Sequence, residues 1–282
     1  MEQIESIGVL GAGTMGHGIA QVAAQAGYRT LLYDVTPALA EAGLRRIAEN
    51  LEKGIERGKV KPAEKDAALQ RLTAVSQLAS LAGCGMIIEA IPEDLALKRA
   101  AFEELSKLSG AAILASNTSS LSVTKIAAAA AHPERVVGMH FFNPVHIMKL
   151  LEVVRAEQTS DAAAQAAREV GARMGKESIV VRDSPGFASS RLGVTLGLEA
   201  IRMLEEGVAS PEDIDRAMEL GYGYPMGPLK LGDLVGLDVR LAVAEYLHRE
   251  LCSDVFRPPK LLRDMVRAGK LGRKTGEGFY KY

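Results

Sequence analysis

At 282 residues the chain is too long for one comfortable hydrophobic core and short for three, so two domains are expected. Hydrophobic residues make up 48%, enough to fill such cores, and a formal net charge of -1 excludes a global electrostatic attraction to nucleic acid or to an anionic membrane surface. Two cysteines, Cys84 and Cys252, exclude a disulfide framework, and no run approaches the roughly 20 apolar residues of a membrane-spanning helix, so a cytoplasmic protein is expected.

In chain order, Ile4 to Leu10 reads as a short buried strand, "GAGTMGHGIAQVAAQAG" as a glycine turn opening a small-residue helix, and "YRTLLYD" as a second strand. That is a βαβ unit. The charged stretch "ALAEAGLRRIAENLEKGIERGKV" suits a solvated helical hairpin arm, and after Pro62 a second polar helix leads to the strand "GMIIEA". A helix near Leu97 to Leu108, the strand "AAILASN", an alanine-rich helix after Leu121, and the strands "RVVGMHFF" and "KLLEVV" follow. "DAAAQAAREVGARMGK" reads as a helix and "ESIVVRD" as a closing strand. Strands alternating with helices imply an α/β fold with a mostly parallel sheet. Past the Pro-Gly break in "DSPGF" only helices and loops are expected, so the boundary is placed at Asp183 and Ser184, giving domains 1–183 and 184–282.

The turn Gly11-Ala12-Gly13-Thr14-Met15-Gly16 has the spacing G-x-G-x-x-G. Alone this is weak, because 28 glycines make chance matches common. Its context is stronger: it follows a strand, opens a helix, and precedes a second strand ending in Asp34. The first glycine permits the tight turn, the second lets a pyrophosphate approach the backbone, and the third lets helix pack on strand. Asp34 can accept from both ribose hydroxyls of an adenosine and would repel a 2′-phosphate, and Val35 and Thr36 supply no arginine, so NAD is expected rather than NADP. His17 is read as a first-turn residue with no catalytic role.

A nicotinamide enzyme that oxidises an alcohol needs a base for the hydroxyl proton, and histidine suits it. His140 and Glu152 are twelve residues apart, in apolar runs joined by a turn at Asn143-Pro144, so adjacent strands could pair them. Spacing alone fits equally a satisfied core histidine beside an edge-strand glutamate. Position favours chemistry, because His140 and the cluster "SNTSS" at Ser116 to Ser120 both follow apolar strands, on the side where a doubly wound sheet binds ligands. Ser119 could bind a carbonyl or hydroxyl, or cap the helix after Leu121. The five histidines and two cysteines form no ligand-spaced cluster, so no metal is expected.

Taken together, "GAGTMGHGIAQ", "IIEAIPEDLALK", "ASNTSSL", "HFFNPVHIMKLLEVV", "DSPGFASSRL", "GYPMGP" and "GRKTGEGFYKY" resemble, in order and over nearly the whole chain, the L-3-hydroxyacyl-CoA dehydrogenase family, in particular the short bacterial 3-hydroxybutyryl-CoA dehydrogenases. The resemblance implies an N-terminal Rossmann-type domain, a helical C-terminal domain that binds substrate and dimerises, and reversible NAD-linked oxidation of a 3-hydroxyacyl-CoA thioester. It makes His140 the general acid/base, Glu152 its orienting partner and Ser119 a residue near substrate and nicotinamide. Glu93, Lys98, Asn143 and Lys274 match cofactor-contacting positions. Ser190 stands in "PGFASSRL" where the family commonly has an active-site asparagine; a hydroxyl is shorter than a carboxamide and cannot donate and accept in the same geometry. His146 replaces a usual proline and is read as a turn cap. Lys53, Arg57, Lys59 and Lys61 are candidates for the coenzyme A phosphates.

The second domain carries Leu198, Ile201, Met203 and Leu204 near one helix face and another apolar surface in "LVGLDVRLAVAEYL", from which a homodimer is expected. Two other readings stay open: an NAD-dependent dehydrogenase of another hydroxy acid or sugar acid, and a catalytically silent NAD-binding relative.

Overall fold

Strands buried on both faces read as continuous apolar runs, and that is what the computed structural model, which describes residues 4–282, builds at its centre. The first strand, β1 (Ser6–Leu10), is buried along its whole length. It leads into α1 (Thr14–Gln25), whose inward face is made of Ile19, Ala20, Ala23 and Ala24. Then come β2 (Arg29–Tyr33), α2 (Pro37–Glu56), α3 (Pro62–Gln70) and β3 (Leu72–Val75). Next are β4 (Met86–Glu89), α4 (Leu95–Leu108), β5 (Ile113–Ser116), α5 (Val123–Ala127) and β6 (Val136–Phe141). The run closes with β7 (Leu150–Arg155), α6 (Asp161–Arg173) and β8 (Glu177–Arg182). The eight strands form one sheet in the order β3-β2-β1-β4-β5-β6-β7-β8. Every neighbouring pair is parallel except β6 with β7. The carboxyl ends of β1, β2, β4, β5 and β6 therefore lie along one edge, which is where a doubly wound sheet binds ligands.

Two expectations are corrected here. The segment between the polar helix and "GMIIEA" contains β3, an unexpected further parallel strand on the edge beside β2; its four residues are only half covered, so they lack the apolar signature of their neighbours. The charged stretch is not a solvated arm throughout. Ala40, Gly43, Ile47 and Leu51 of α2 are buried at helical spacing, and Asn50 donates to Gln21 of α1 at 3.3 Å.

The chain divides into two compact units, Met1–Ser184 and Pro185–Tyr282. The second consists of α7 (Ser189–Glu205), α8 (Pro211–Gly221), α9 (Pro228–Val235), α10 (Leu237–Leu251) and α11 (Lys260–Arg267). Its core gathers Leu198 and Ile201 with Leu237, Ala244 and Leu247, while Met203 and Leu204 pack against its margin. The α7 face and part of the second apolar surface thus meet in this unit's own interior, while Leu234, Val235 and Val239 of that second surface stay exposed.

Two buried aspartates tie the tail to that core. Asp233 accepts from the backbone N–H of Phe279 and Tyr280 at 3.0 Å each and from the Tyr282 hydroxyl at 3.1 Å. Asp215 accepts from Leu229 N at 2.8 Å, Lys230 N at 3.0 Å and the Tyr280 hydroxyl at 2.8 Å. Among the described residues no helix is long and apolar enough to cross a membrane.

Candidate active site

The glycine turn separates into residues that serve the fold and one that leaves room. Gly11 adopts φ +99°, a left-handed conformation, and a Cβ there would lie 2.6 Å from the Ala90 carbonyl oxygen. A Cβ at Gly16 would lie 1.7 Å from the Gly11 carbonyl oxygen, so helix and turn can meet only without a side chain. At Gly13 nothing stands within 4 Å of the added atom, so packing within the protein does not require that glycine. Gly13 is also the N-cap of α1 and no side chain caps it, which leaves the first-turn N–H groups and the positive end of the helix dipole facing open space. Ala12, Thr14 and Met15 complete the loop. At the end of β2, Asp34 is held by Ala12 N and Val35 N, both at 2.7 Å, with lone pairs to spare for ribose hydroxyls. An open glycine, an uncapped helix start and a fixed carboxylate fit NAD. His17 folds back with Nδ1 2.6 Å from the Gly13 carbonyl oxygen.

The antiparallel pairing of β6 and β7 sets His140 directly opposite Glu152. The imidazole Nδ1 lies 2.7 Å from Glu152 Oε2, the ring is 7% exposed and the carboxylate 0%. A carboxylate can only accept, so Nδ1 carries the proton and Nε2 the lone pair, the tautomer a general base needs. Phe142 packs at a tilt on the imidazole, with centroids 4.5 Å apart.

One strand over, the loop after β5 is clasped by Glu93. Its Oε1 accepts from Thr118 Oγ1 at 2.7 Å, Ser119 N at 2.8 Å, Ser119 Oγ at 3.1 Å and Ser120 N at 3.1 Å. Burial by itself would raise the Glu93 pKa, but the Lys98 charge and the bonds from Thr118 and Ser119 outweigh it and hold the carboxyl below its usual range. Asn117 joins this loop to β6, its Oδ1 accepting from Phe141 N at 2.9 Å. Ser119 is not the cap of α5; Ser122 is, accepting from Lys125 N.

Lys98, expected at the cofactor, is 1% exposed, and its ammonium turns inward to Glu89 Oε1 at 2.5 Å, with Glu93 Oε2 at 3.4 Å. In this geometry its reach toward a ligand runs through Glu93. Glu89 itself was not foreseen. It ends β4, where burial raises its pKa against the lowering effects of Lys98, Ser116 and Ile91 N. Its only signal in the sequence is an acid closing the apolar run "MIIE".

Asn143 lies exposed just past β6, in the bend with Pro144. His146 does not cap that bend. The Pro144 carbonyl closes it by accepting from Ile147 N and Met148 N, and the exposed imidazole sits in a basic neighbourhood where burial, then Lys176, His17 and Arg57, lower its pKa. Ser190 and Lys274 belong to the second unit. Ser190 is half-buried in the first turn of α7, just after Gly186 and Phe187, which both take positive φ (75° and 48°). Lys274 pairs with both oxygens of Asp238, at 2.6 and 2.7 Å. Among the described residues no group of three His, Cys, Asp or Glu could hold a metal ion.

A dinucleotide cleft whose sheet edge also carries a carboxylate-oriented imidazole defines an NAD-dependent oxidoreductase acting on an alcohol or carbonyl. Comparison with known proteins narrows this. Residues 6–184 match the NAD binding domain of 3-hydroxyacyl-CoA dehydrogenase, and residues 186–282 match its C-terminal domain. A probable 3-hydroxybutyryl-CoA dehydrogenase of Bacillus subtilis is 46% identical over 281 residues, covering 99% of this chain and 98% of the relative. A 3-hydroxybutyryl-CoA dehydrogenase of Mycobacterium tuberculosis is 44% identical over 284 residues, covering 100% and 99%. The crystal structure of (S)-3-hydroxybutyryl-CoA dehydrogenase from Ralstonia eutropha superposes with a TM-score of 0.96 at 42% identity, covering 99% of each chain. The chain belongs to the 3-hydroxyacyl-CoA dehydrogenase family.

Proposed function

We propose that the protein interconverts a short-chain L-3-hydroxyacyl-CoA, such as 3-hydroxybutyryl-CoA, and the corresponding 3-ketoacyl-CoA. The observation that carries this reading is the 2.7 Å contact between His140 and Glu152 at the carboxyl edge of a sheet whose first turn is built for NAD. NAD+ supplies the hydride acceptor. His140 Nε2 would take the proton of the 3-hydroxyl while the hydrogen on C3 departs as hydride with the C–H electron pair, and the O–H pair becomes the second bond of the carbonyl. In the reverse direction the imidazolium returns the proton to the ketone oxygen. Glu152, accepting from Nδ1–H, holds the ring and stabilises the imidazolium. Ser119 adds a hydrogen bond near the reacting oxygen.

Glu93, backed by Lys98, together with Asn143 and Lys274, makes up the remaining cofactor contacts in this reading, and Ser190 binds substrate. Of the basic residues expected to meet the coenzyme A phosphates, Arg57 lies near enough to His146 to lower its pKa. The apolar residues left exposed on the second unit, including Leu192, Leu220, Tyr222, Val235 and Val239, would serve a homodimer. Steady-state reduction of acetoacetyl-CoA by NADH tests the reading. Turnover is expected, and its absence alongside rapid oxidation of a free hydroxy acid would overturn the thioester assignment.

A further inference from the structure

Most of the polar groups at the carboxyl edge of the sheet are accounted for by cofactor or proton transfer; Glu89 is not. Its side chain is 0% exposed and touches no ligand-facing space, yet it gathers three bonds: Lys98 Nζ at 2.5 Å, Ser116 Oγ at 2.7 Å and Ile91 N at 2.8 Å. Lys98 in turn bonds the Ile91 carbonyl at 3.2 Å and faces Glu93 at 3.4 Å. Glu93 grips Thr118, Ser119 and Ser120. We propose that Glu89 is a positioning residue for Ser119, acting through Lys98 and Glu93 at one end of the loop and through Ser116 at the other. The inference rests on the assignment of Ser119 to the reacting centre.

The physical case is one of energy and geometry. A carboxylate and an ammonium in a dry interior, as Glu89 and Lys98 are, make a poor way to stabilise a fold, since well-packed apolar side chains of similar volume do as well or better. What such a cluster does supply is a single arrangement of its members. With Glu89 charged, Lys98 is drawn down between two acids. Glu93 Oε2 then faces the ammonium, and Oε1 is turned to the loop. Without that charge the ammonium has one carboxylate left, at 3.4 Å, and closing that distance would pull Glu93 away from Ser119. Glu89 also holds Ser116, whose Oγ accepts from Thr118 N at 3.3 Å, so both ends of the loop depend on one carboxylate.

A double-mutant cycle between Glu89→Gln and Ser119→Ala tests this, with acetoacetyl-CoA and NADH as substrates and thermal midpoints recorded for each variant. Glu89→Gln is expected to lower kcat/KM about tenfold when Ser119 is present, equivalent to about 1.4 kcal/mol, and to have almost no further effect in the Ser119→Ala background. An equal loss in both backgrounds would show that Glu89 acts on stability or on another group, and the proposal would fall while Ser119 keeps its role. No loss in either background would also sink it. Ser119→Ala with unchanged kinetics would remove the underlying assignment together with the proposal. Should Glu89→Gln fail to fold, Ser116→Ala cuts the direct bond alone; a roughly threefold loss that disappears with Ser119→Ala supports the proposal, and an additive loss overturns it.

Discussion

Both units bury carboxylates almost completely, but they satisfy them differently. Glu152 faces an imidazole, whereas Asp215 and Asp233 face backbone N–H groups and phenols. An imidazole has a second ring nitrogen that can take up a proton, so the charge on Glu152 is placed to be felt when one arrives. Backbone amides do not titrate, and the Tyr280 phenol is pushed far above its usual range by burial and then by Asp215, so the aspartates only hold. The same buried group thus belongs to the proposed proton transfer in one place and is a clasp for the chain terminus in the other. Its partner decides which.

Variants can break that contrast. The largest effect is expected at His140→Gln: kcat for acetoacetyl-CoA reduction should fall about 10²–10⁴-fold, while the thermal midpoint moves by no more than about 4 °C. Unchanged turnover would make His140 a core residue like any other. The second unit should behave in the opposite way. Asp215→Asn sets an amide N–H against a backbone N–H and should cost about 1–3 kcal/mol of stability in urea unfolding, without the collapse in kcat. Gly13→Ala sharpens the split within the cofactor turn. Because no protein atom meets the new methyl, the midpoint should hold while the KM for NADH rises roughly tenfold, about 1.4 kcal/mol. Gly16→Ala should destabilise the fold itself. Tyr280→Phe removes one of three bonds to Asp215 and should lower stability by about 1 kcal/mol, measurable by chemical unfolding.

The smallest effect concerns pH. The folded pKa of Glu93 is below the usual 4.5, so its ionised form contributes stability above that value and loses it as pH falls through the folded pKa. The stability difference between the parent and Glu93→Gln should accordingly be full at neutral pH and shrink on acidification below 4.5. A difference independent of pH would mean that the loop is held by shape alone.

Much of the site was legible because it is built from local rules. Gly11, Gly13 and Gly16 stand where a strand turns into a helix, and Asp34 ends the next strand; each of these follows from spacing and turn chemistry within some 25 residues. The His140–Glu152 pair was legible only as a possibility. Twelve residues allow several registers, and a slip of one residue would turn one side chain to the opposite face of the sheet. The burial of Lys98 was not legible, because a lysine at a helix start is ordinarily solvated and nothing nearby in sequence reveals that Glu89 lies beneath it. The apolar faces of α7 and α10 were legible as faces without their counterparts, for a related reason: periodicity shows that a face is buried, not against what.

The amino-acid sequence by itself determined the alternating architecture, the dinucleotide turn and the chemical identity of an acid–base pair, because helix period, strand apolarity and glycine geometry act over one or two elements. Only the tertiary structure decided that His140 stands opposite Glu152, that an eighth strand, β3, borders β2, and that a buried Glu89–Lys98 pair backs Glu93 behind Ser119. Those facts depend on register and on which faces are withdrawn from water together, and such choices are made by the whole packed sheet rather than by any one segment.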